Sequence, residues 1–343
     1  MNPTFTIHAL NAPNSALPWQ QALASAIRTP EALLAALDLS TEQLPAIFNG
    51  GDKFPLRVPL SFISRMQKGD PNDPLLRQVL PLDEENNFSH GYLTDPVGDL
   101  NATEVPGLLH KYHGRALMIT TGACAVHCRY CFRRHFPYSE QNAASNEWDA
   151  SIRHIAEDST INEVILSGGD PLALSDQRLV TLLEQLANIP HLKRLRIHTR
   201  LPVVIPQRVT DPLLTLLSEC RLTPVIVIHA NHANEIDTEL HQALRRLKTI
   251  PDITLLNQSV LLRGVNDNSQ ALISLSEALF DSGVSPYYLH LLDKAQGTAH
   301  FNVPATRAIA LLKAVQASLP GYLVPRLAQE EAGAASKTLI TTT

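Results

Sequence analysis

Glu163-Val-Ile-Leu-Ser-Gly-Gly-Asp170 reads as a short buried strand ending in a glycine turn. Shortly after it, Asp176 to Ala187 carries apolar residues at helical spacing. Strand followed by helix recurs along the chain. Apolar runs at Ala116 to Thr120, Leu195 to His198, Pro224 to His229, Ile253 to Asn257 and Tyr287 to Leu291 alternate with helix-period segments at Asp237 to Lys248, Ser269 to Phe280 and Pro304 to Ser318. Strands about 30 residues apart are the spacing of the βαβ unit, so the pattern predicts a parallel sheet of six βα repeats with right-handed crossovers. Chemistry in such a sheet sits at the carboxyl ends of its strands. Polar groups cluster there: Gly168-Gly169-Asp170, His198-Thr199-Arg200, His229 with Asn231, Asn257-Gln258 and Asp293.

Outside this region, residues 1–105 are proline-rich, with amphipathic stretches at Pro30 to Leu37 and Leu60 to Lys68, and predict a small helical extension. Residues 106–325 form the core and 326–343 a polar tail. A chain of 343 residues with 44% hydrophobic residues has ample apolar surface for a core. Its 28 basic and 33 acidic residues give a net charge of −5, which supplies no global field for nucleic acid or an anionic membrane. No apolar run approaches the roughly 18 to 20 residues that span a bilayer. The first basic residue is Arg28, so the start lacks the pattern of a secretory signal, and a cytoplasmic location is expected.

Three of the four cysteines crowd into Cys124-Ala-Val-His-Cys128-Arg-Tyr-Cys131, directly after the first βα strand. In a reducing compartment this reads as metal or cluster ligation. Three thiolates can hold three irons of a cubane cluster and leave the fourth iron open for chemistry. A zinc site completed by His127 or His135 is the alternative. Cys220, at the end of a leucine-rich helix, reads as a core thiol. Arg129, Arg133 and Arg134 interleave with Tyr130, Phe132 and Phe136 as in some RNA-binding patches, but the net charge is negative, and an arginine can grip a carboxylate through two parallel hydrogen bonds.

The cysteine loop resembles the CxxxCxΦC signature of radical S-adenosylmethionine enzymes, with Tyr130 at the aromatic position. Within that superfamily the chain resembles the lysine 2,3-aminomutases, and among them the bacterial group that supplies β-lysine for modifying elongation factor P. The likeness runs from about Leu56 to Lys337. It includes Pro106-Gly-Leu-Leu-His-Lys-Tyr112, Cys128-Arg-Tyr-Cys-Phe-Arg-Arg-His-Phe-Pro137, Leu256-Asn-Gln-Ser-Val-Leu-Leu-Arg-Gly-Val-Asn-Asp267, Pro286-Tyr-Tyr-Leu-His-Leu-Leu-Asp293 and Tyr322-Leu-Val-Pro325.

The resemblance implies a partial (β/α)6 barrel, a [4Fe-4S] cluster on Cys124, Cys128 and Cys131, S-adenosylmethionine, and pyridoxal 5′-phosphate held by Lys337 in the tail. It places Gly168, Gly169 and Asp170 at the methionine moiety and Tyr130 near the adenine. Tyr112 and Arg115 would contact pyridoxal phosphate, and His229 and Gln258 are further cofactor contacts. Arg133 would hold the α-carboxylate of L-lysine, and Asp293 its ε-ammonium. Glu330, followed by Glu331, stands where the family carries a second acid. The implied reaction moves the amino group of L-lysine from C2 to C3. An electron donor such as flavodoxin or ferredoxin, and a functional link to an elongation factor P lysine ligase, go with it. An aminomutase acting on arginine or glutamate, or a non-catalytic iron–sulfur carrier, are the alternative readings.

Overall fold

The computed structural model describes residues 18–47, 54–141 and 148–341. Its centre is one sheet whose strands lie side by side in chain order: β1 Thr103–Val105, β2 Leu108–Tyr112, β3 Arg115–Thr121, β4 Glu163–Gly168, β5 Arg194–Thr199, β6 Thr223–Ile228, β7 Thr254–Val260, β8 Ser285–His290, β9 Arg326–Gln329 and β10 Thr338–Leu339. Strands β3 to β9 are parallel, β1 and β2 add an antiparallel edge at one end, and β10 turns back on β9 at the other. The order begins at β1 and ends at β10 without returning, so the barrel is partial.

The six expected strands are β3 to β8. A seventh parallel strand, β9, belongs to the tail expected to be merely polar. Arg-Leu-Ala-Gln is four residues long and carries no alternation that a sequence pattern could register. Tyr112 and Arg115, expected just ahead of the first strand, are themselves sheet residues on β2 and β3.

Helices at 149–157, 176–187, 211–219, 238–247, 269–281 and 305–318 make the six crossovers. Four of them start on side-chain caps: Ser175, Thr210, Asp237 and Asn268 each accept from a backbone N–H three residues on. Asp149–Glu157 starts without one, on Trp148 at φ 63°, which removes the signal that would have announced it. The stretch at 60–68 yields a helix of only Leu60–Ile63, because the Gln67 N–H bonds the Asp73 carboxylate that caps the next helix, Pro74–Arg77.

Parallel register places Met118, Leu166, Ile197, Ile226 and Leu255 in one row facing the helices, all at most 2% exposed. A fully buried side chain of this kind contributes about 1.5 to 3 kcal/mol. The alternate residues face the barrel interior and mix apolar Ile119, Ile165 and Val227 with polar Ser167 and His198. Trp19, Leu33 and Phe62 of the N-terminal extension join the helix-side core, as does Cys220, the expected core thiol.

The turn after β4 presses against the start of the cysteine loop. Gly169 N–H donates to the Thr121 carbonyl at 2.7 Å and Asp170 N–H to that of Ala123 at 2.8 Å. A Cβ on Gly169 would lie 2.4 Å from the Ala123 oxygen, and one on Gly168, at φ +114°, 2.6 Å from that of Thr121. Gly169→Ala is therefore expected to cost about 1–3 kcal/mol in urea unfolding. Gly321→Ala, which meets nothing within 4 Å, should be neutral and serves as the control.

Candidate active site

The cysteine loop is anchored from below by the N-terminal extension. Arg129, fully buried, donates to both oxygens of Glu85 at 2.8 and 2.6 Å and to the Phe54 carbonyl at 2.8 Å; Arg134 reaches the same Glu85 at 2.5 Å. These arginines are spent inside the protein and present no face to a nucleic acid. His127 shares a 2.7 Å hydrogen bond with the Pro55 carbonyl and stacks on Phe54, and His135 lies 3.1 Å from the Gln296 carbonyl. Both candidate zinc histidines are thus engaged by backbone oxygens.

The three thiols lie near enough to act on one another electrostatically. Burial pushes Cys124 well above its ordinary range, and the charges of Cys131, Asp170 and Cys128 push it further; burial and Cys128 raise Cys131 to about 11. A positive metal centre would favour the thiolate form of such thiols. Among the described residues no three His, Cys, Asp or Glu side chains are arranged around a single metal ion. In a cubane each thiolate takes a different iron.

Beside Cys128 lies a buried polar knot at the carboxyl ends of β5 and β6. The Tyr130 hydroxyl sits 2.9 Å from His229 Nε2 and accepts from Arg200 at 2.6 Å and Asn231 at 2.7 Å, and its ring stacks on His229. Asp170 accepts from the Thr199 hydroxyl at 2.7 Å and from three backbone N–H groups of Leu172, Arg200 and Leu201 at 2.7–3.0 Å. Its side chain therefore holds strand ends together, and what its turn offers outward is backbone. Gln258 stands in register with Tyr288 on the interior face.

The other half of the site is a chain of charges. Lys337 Nζ donates to Glu330 Oε2 at 2.9 Å, and Lys111 Nζ to Glu330 Oε1 at 3.0 Å. Lys111 also pairs with Asp99 at 2.6 Å, and Asp99 accepts from Arg133 at 2.7 Å; Arg133 ends on the Ser167 hydroxyl at 3.1 Å. The tail lysine and the expected carboxylate-binding arginine are therefore joined through one acid just after β9, a lysine on β2 and an aspartate ahead of β1. Lys111 and Asp99 went unassigned in the sequence. Lys111 lay inside a quoted motif, and nothing local distinguishes Asp99 from a loop aspartate.

Glu330, at the inner end of β9, is the acid that enters the site. Glu331 points outward to Gln329 and Thr338. Burial opposes ionisation of Glu330, but Lys337 and Lys111 outweigh it and hold the carboxyl near 2. Asp293 takes the opposite course: burial and the Glu330 charge raise it to about 7 against the pull of Lys337 and Lys111. Two imidazoles that sequence reasoning left without a role complete the wall. Burial followed by Lys337 lowers His290 to about 3, and burial with Arg196 and then Lys337 lowers His198 well below its usual range. Lys337 Nζ lies 5.8 Å from the Tyr288 ring centre.

The radical SAM superfamily profile matches residues 118–272. The chain is 51% identical over 321 residues to the L-lysine 2,3-aminomutase of Haemophilus influenzae, covering 94% of this chain and 95% of that one. It is 50% identical over 333 residues to that of Escherichia coli, covering 97% and 96%, and 34% identical over 322 residues to that of Clostridium subterminale, covering 93% and 77%. The chain belongs to the radical SAM L-lysine 2,3-aminomutase family. Members are isomerases, and membership implies a [4Fe-4S] cluster, S-adenosylmethionine and pyridoxal phosphate.

The residues present fit a family member's cofactors. Three clustered thiols, each able to take a different iron once ionised, suit the cluster. The Tyr112 hydroxyl is buried without a well-aligned hydrogen bond, while burial and the neighbouring Glu330 hold it well above its usual pKa. The Arg115 guanidinium, 4.7 Å over the Tyr112 ring, is in no ion pair among the described residues. An unspent phenol and an unspent guanidinium suit a phosphate.

Asp293 supplies a pH test. Its carboxyl stays protonated in the folded chain up to about 7 but ionises near 4 when unfolded, so the folded state loses stability as pH climbs between these values, and the full loss stands above 7. Asp293→Asn should raise the unfolding free energy at pH 8 by roughly 1–3 kcal/mol and change it little at pH 4. An equal effect at both pH values would contradict the assignment.

Proposed function

We propose that the protein isomerises L-lysine to β-lysine. The supporting observation is the set of charges: the Arg133 guanidinium, linked through Asp99 and Lys111 to Glu330, and the Asp293 and Glu330 acids offer charges complementary to the carboxylate and ε-ammonium of lysine. When bound, the cluster with S-adenosylmethionine supplies a carbon radical for the unactivated C3 hydrogen, and pyridoxal phosphate supplies the carbonyl and conjugated ring that carry the migrating nitrogen. No side-chain base could serve instead, since general base catalysis contributes only about 10²- to 10⁴-fold.

The chain's own residues bind and orient. Cys124, Cys128 and Cys131 would hold the cluster, and the 168–170 turn and the Tyr130–His229 stack would receive S-adenosylmethionine, with Gln258 on the same wall. Lys337 would hold pyridoxal phosphate, with Tyr112 and Arg115 at its phosphate. Arg133 clamps the substrate carboxylate, and Asp99 fixes the guanidinium for that task. Glu330, kept ionised by two ammonium groups, and Asp293 receive the ε-ammonium. A glutamate side chain would meet those acids with like charge and be rejected. In this division Phe54, Pro55 and Glu85 of the N-terminal extension brace the cysteine loop, the core after it carries the radical machinery, and the tail brings Lys337 and Glu330. We further propose that electrons come from a flavodoxin- or ferredoxin-type donor and that the β-lysine feeds an elongation factor P lysine ligase in the cytoplasm. The identity of 51% and 50% to the Haemophilus and Escherichia L-lysine 2,3-aminomutases over nearly the whole chain supports the formation of β-lysine on which this role is built.

Reduced, reconstituted protein given S-adenosylmethionine and pyridoxal phosphate should form the β-isomer from lysine and not from arginine or glutamate. A charge-assisted hydrogen bond contributes about 1.5–3 kcal/mol. Glu330→Gln should therefore lower kcat/KM for lysine by roughly 10- to 150-fold, while Glu331→Gln leaves it nearly unchanged. Preferred turnover of arginine or glutamate, or a larger loss at Glu331, would refute the reading.

A further inference from the structure

Arg200 is more elaborately held than a structural arginine requires. It follows β5, its own N–H is fixed by Asp170, and it is 7% exposed. One terminal nitrogen donates to Cys128 Sγ at 2.7 Å and to the Tyr130 hydroxyl at 2.6 Å. The other donates to Gln78 at 2.7 Å and to Glu235 Oε2 at 2.9 Å, and the guanidinium lies over the rings of Phe62 and Tyr130 at 5.3 and 5.7 Å. Glu235, 0% exposed, also accepts from Gln78 at 3.1 Å and from the N–H groups of Asn231 and His232. This framework aims a permanent cation at one cysteine sulfur and gives it little room to move.

From this geometry we infer that Arg200 sets the reduction potential of the iron–sulfur centre by acting through the Cys128 sulfur. The inference rests on the reading that Cys124, Cys128 and Cys131 hold a [4Fe-4S] cluster. Reduction adds one electron, taken from an external one-electron donor, with no bond made or broken. The added negative charge spreads onto the thiolate sulfurs. A hydrogen bond to sulfur from a buried cation stabilises that charge more in the reduced state than in the oxidised one and raises the potential. Arg200 is a positioning residue in this scheme: it fixes Cys128 and tunes it.

Removing Arg200 alone would strand Glu235 as a buried charge, so the test uses the double variant Arg200→Met with Glu235→Gln, together with Arg200→Lys. Each reconstituted protein is titrated with dithionite in the absence of S-adenosylmethionine, and the reduced cluster is followed by electron paramagnetic resonance. The double variant should disfavour reduction at least tenfold, a midpoint about 59 mV more negative for one electron. Arg200→Lys, which keeps the charge, should recover most of the wild-type value. A merely structural role predicts otherwise, because loosening this region would admit water and raise the midpoint. A midpoint unchanged or more positive in a fully loaded double variant would overturn the inference, as would an Arg200→Lys midpoint as negative as that of the double variant. Failure of the wild-type protein to assemble any cluster would instead overturn the reading on which the inference rests.

Discussion

Glu330 accepts from two ammonium groups at once, and the rest of the site depends on that arrangement. Lys337 and Lys111 each carry a positive charge into a largely buried interior, and each would be costly there without its carboxylate. Lys111 in turn holds Asp99, and Asp99 holds Arg133. Breaking a buried pair of this kind by removing one partner typically costs about 3–5 kcal/mol, because a charge is left uncompensated. The chain of pairs ties the tail, the β2 edge, the loop ahead of β1 and the end of the cysteine loop into one unit. The short strands β9 and β10 therefore have a purpose beyond extending the sheet: they carry Glu330 and Lys337 to the interior of a barrel that six βα units leave open.

The parallel core was legible because it obeys period rules. The apolar runs that became β3 to β8 are continuous, and the caps at Ser175, Asp237 and Asn268 announce their helices. The cysteine loop and the glycine turn were legible because their chemistry demands residue types that other roles seldom use. The charge chain was not. Lys111 and Asp99 find their partners across sequence separations that no local pattern encodes, and which of two adjacent glutamates enters the site depends on the direction a four-residue strand gives them. His198 and His290 look alike in sequence, whether neutral walls of a site or solvated surface; burial and a nearby lysine decide the matter.

The two ends of the interior differ in kind. Around Cys128 the contacts are a dense hydrogen-bonded knot of arginine, tyrosine, asparagine and glutamine, fixed by strand ends and suited to holding a reactive centre still. Around Lys337 the groups retain unspent capacity: the Tyr112 hydroxyl, the Arg115 guanidinium, and an Asp293 carboxyl poised near neutrality. Rigid support beside the thiols and available polar groups beside the lysine are what a radical isomerisation of a charged amino acid needs.

Because Lys111 and Lys337 flank the same carboxylate at 3.0 and 2.9 Å, identifying which of them carries the aldehyde cofactor tests the central claim most directly. Borohydride reduction of the protein loaded with pyridoxal phosphate, followed by digestion and mass mapping, should place the pyridoxyl group on the peptide containing Lys337. A pyridoxyl group on Lys111 would contradict the account, for the tail would then be a brace and the organisation of the site would have to be drawn around β2.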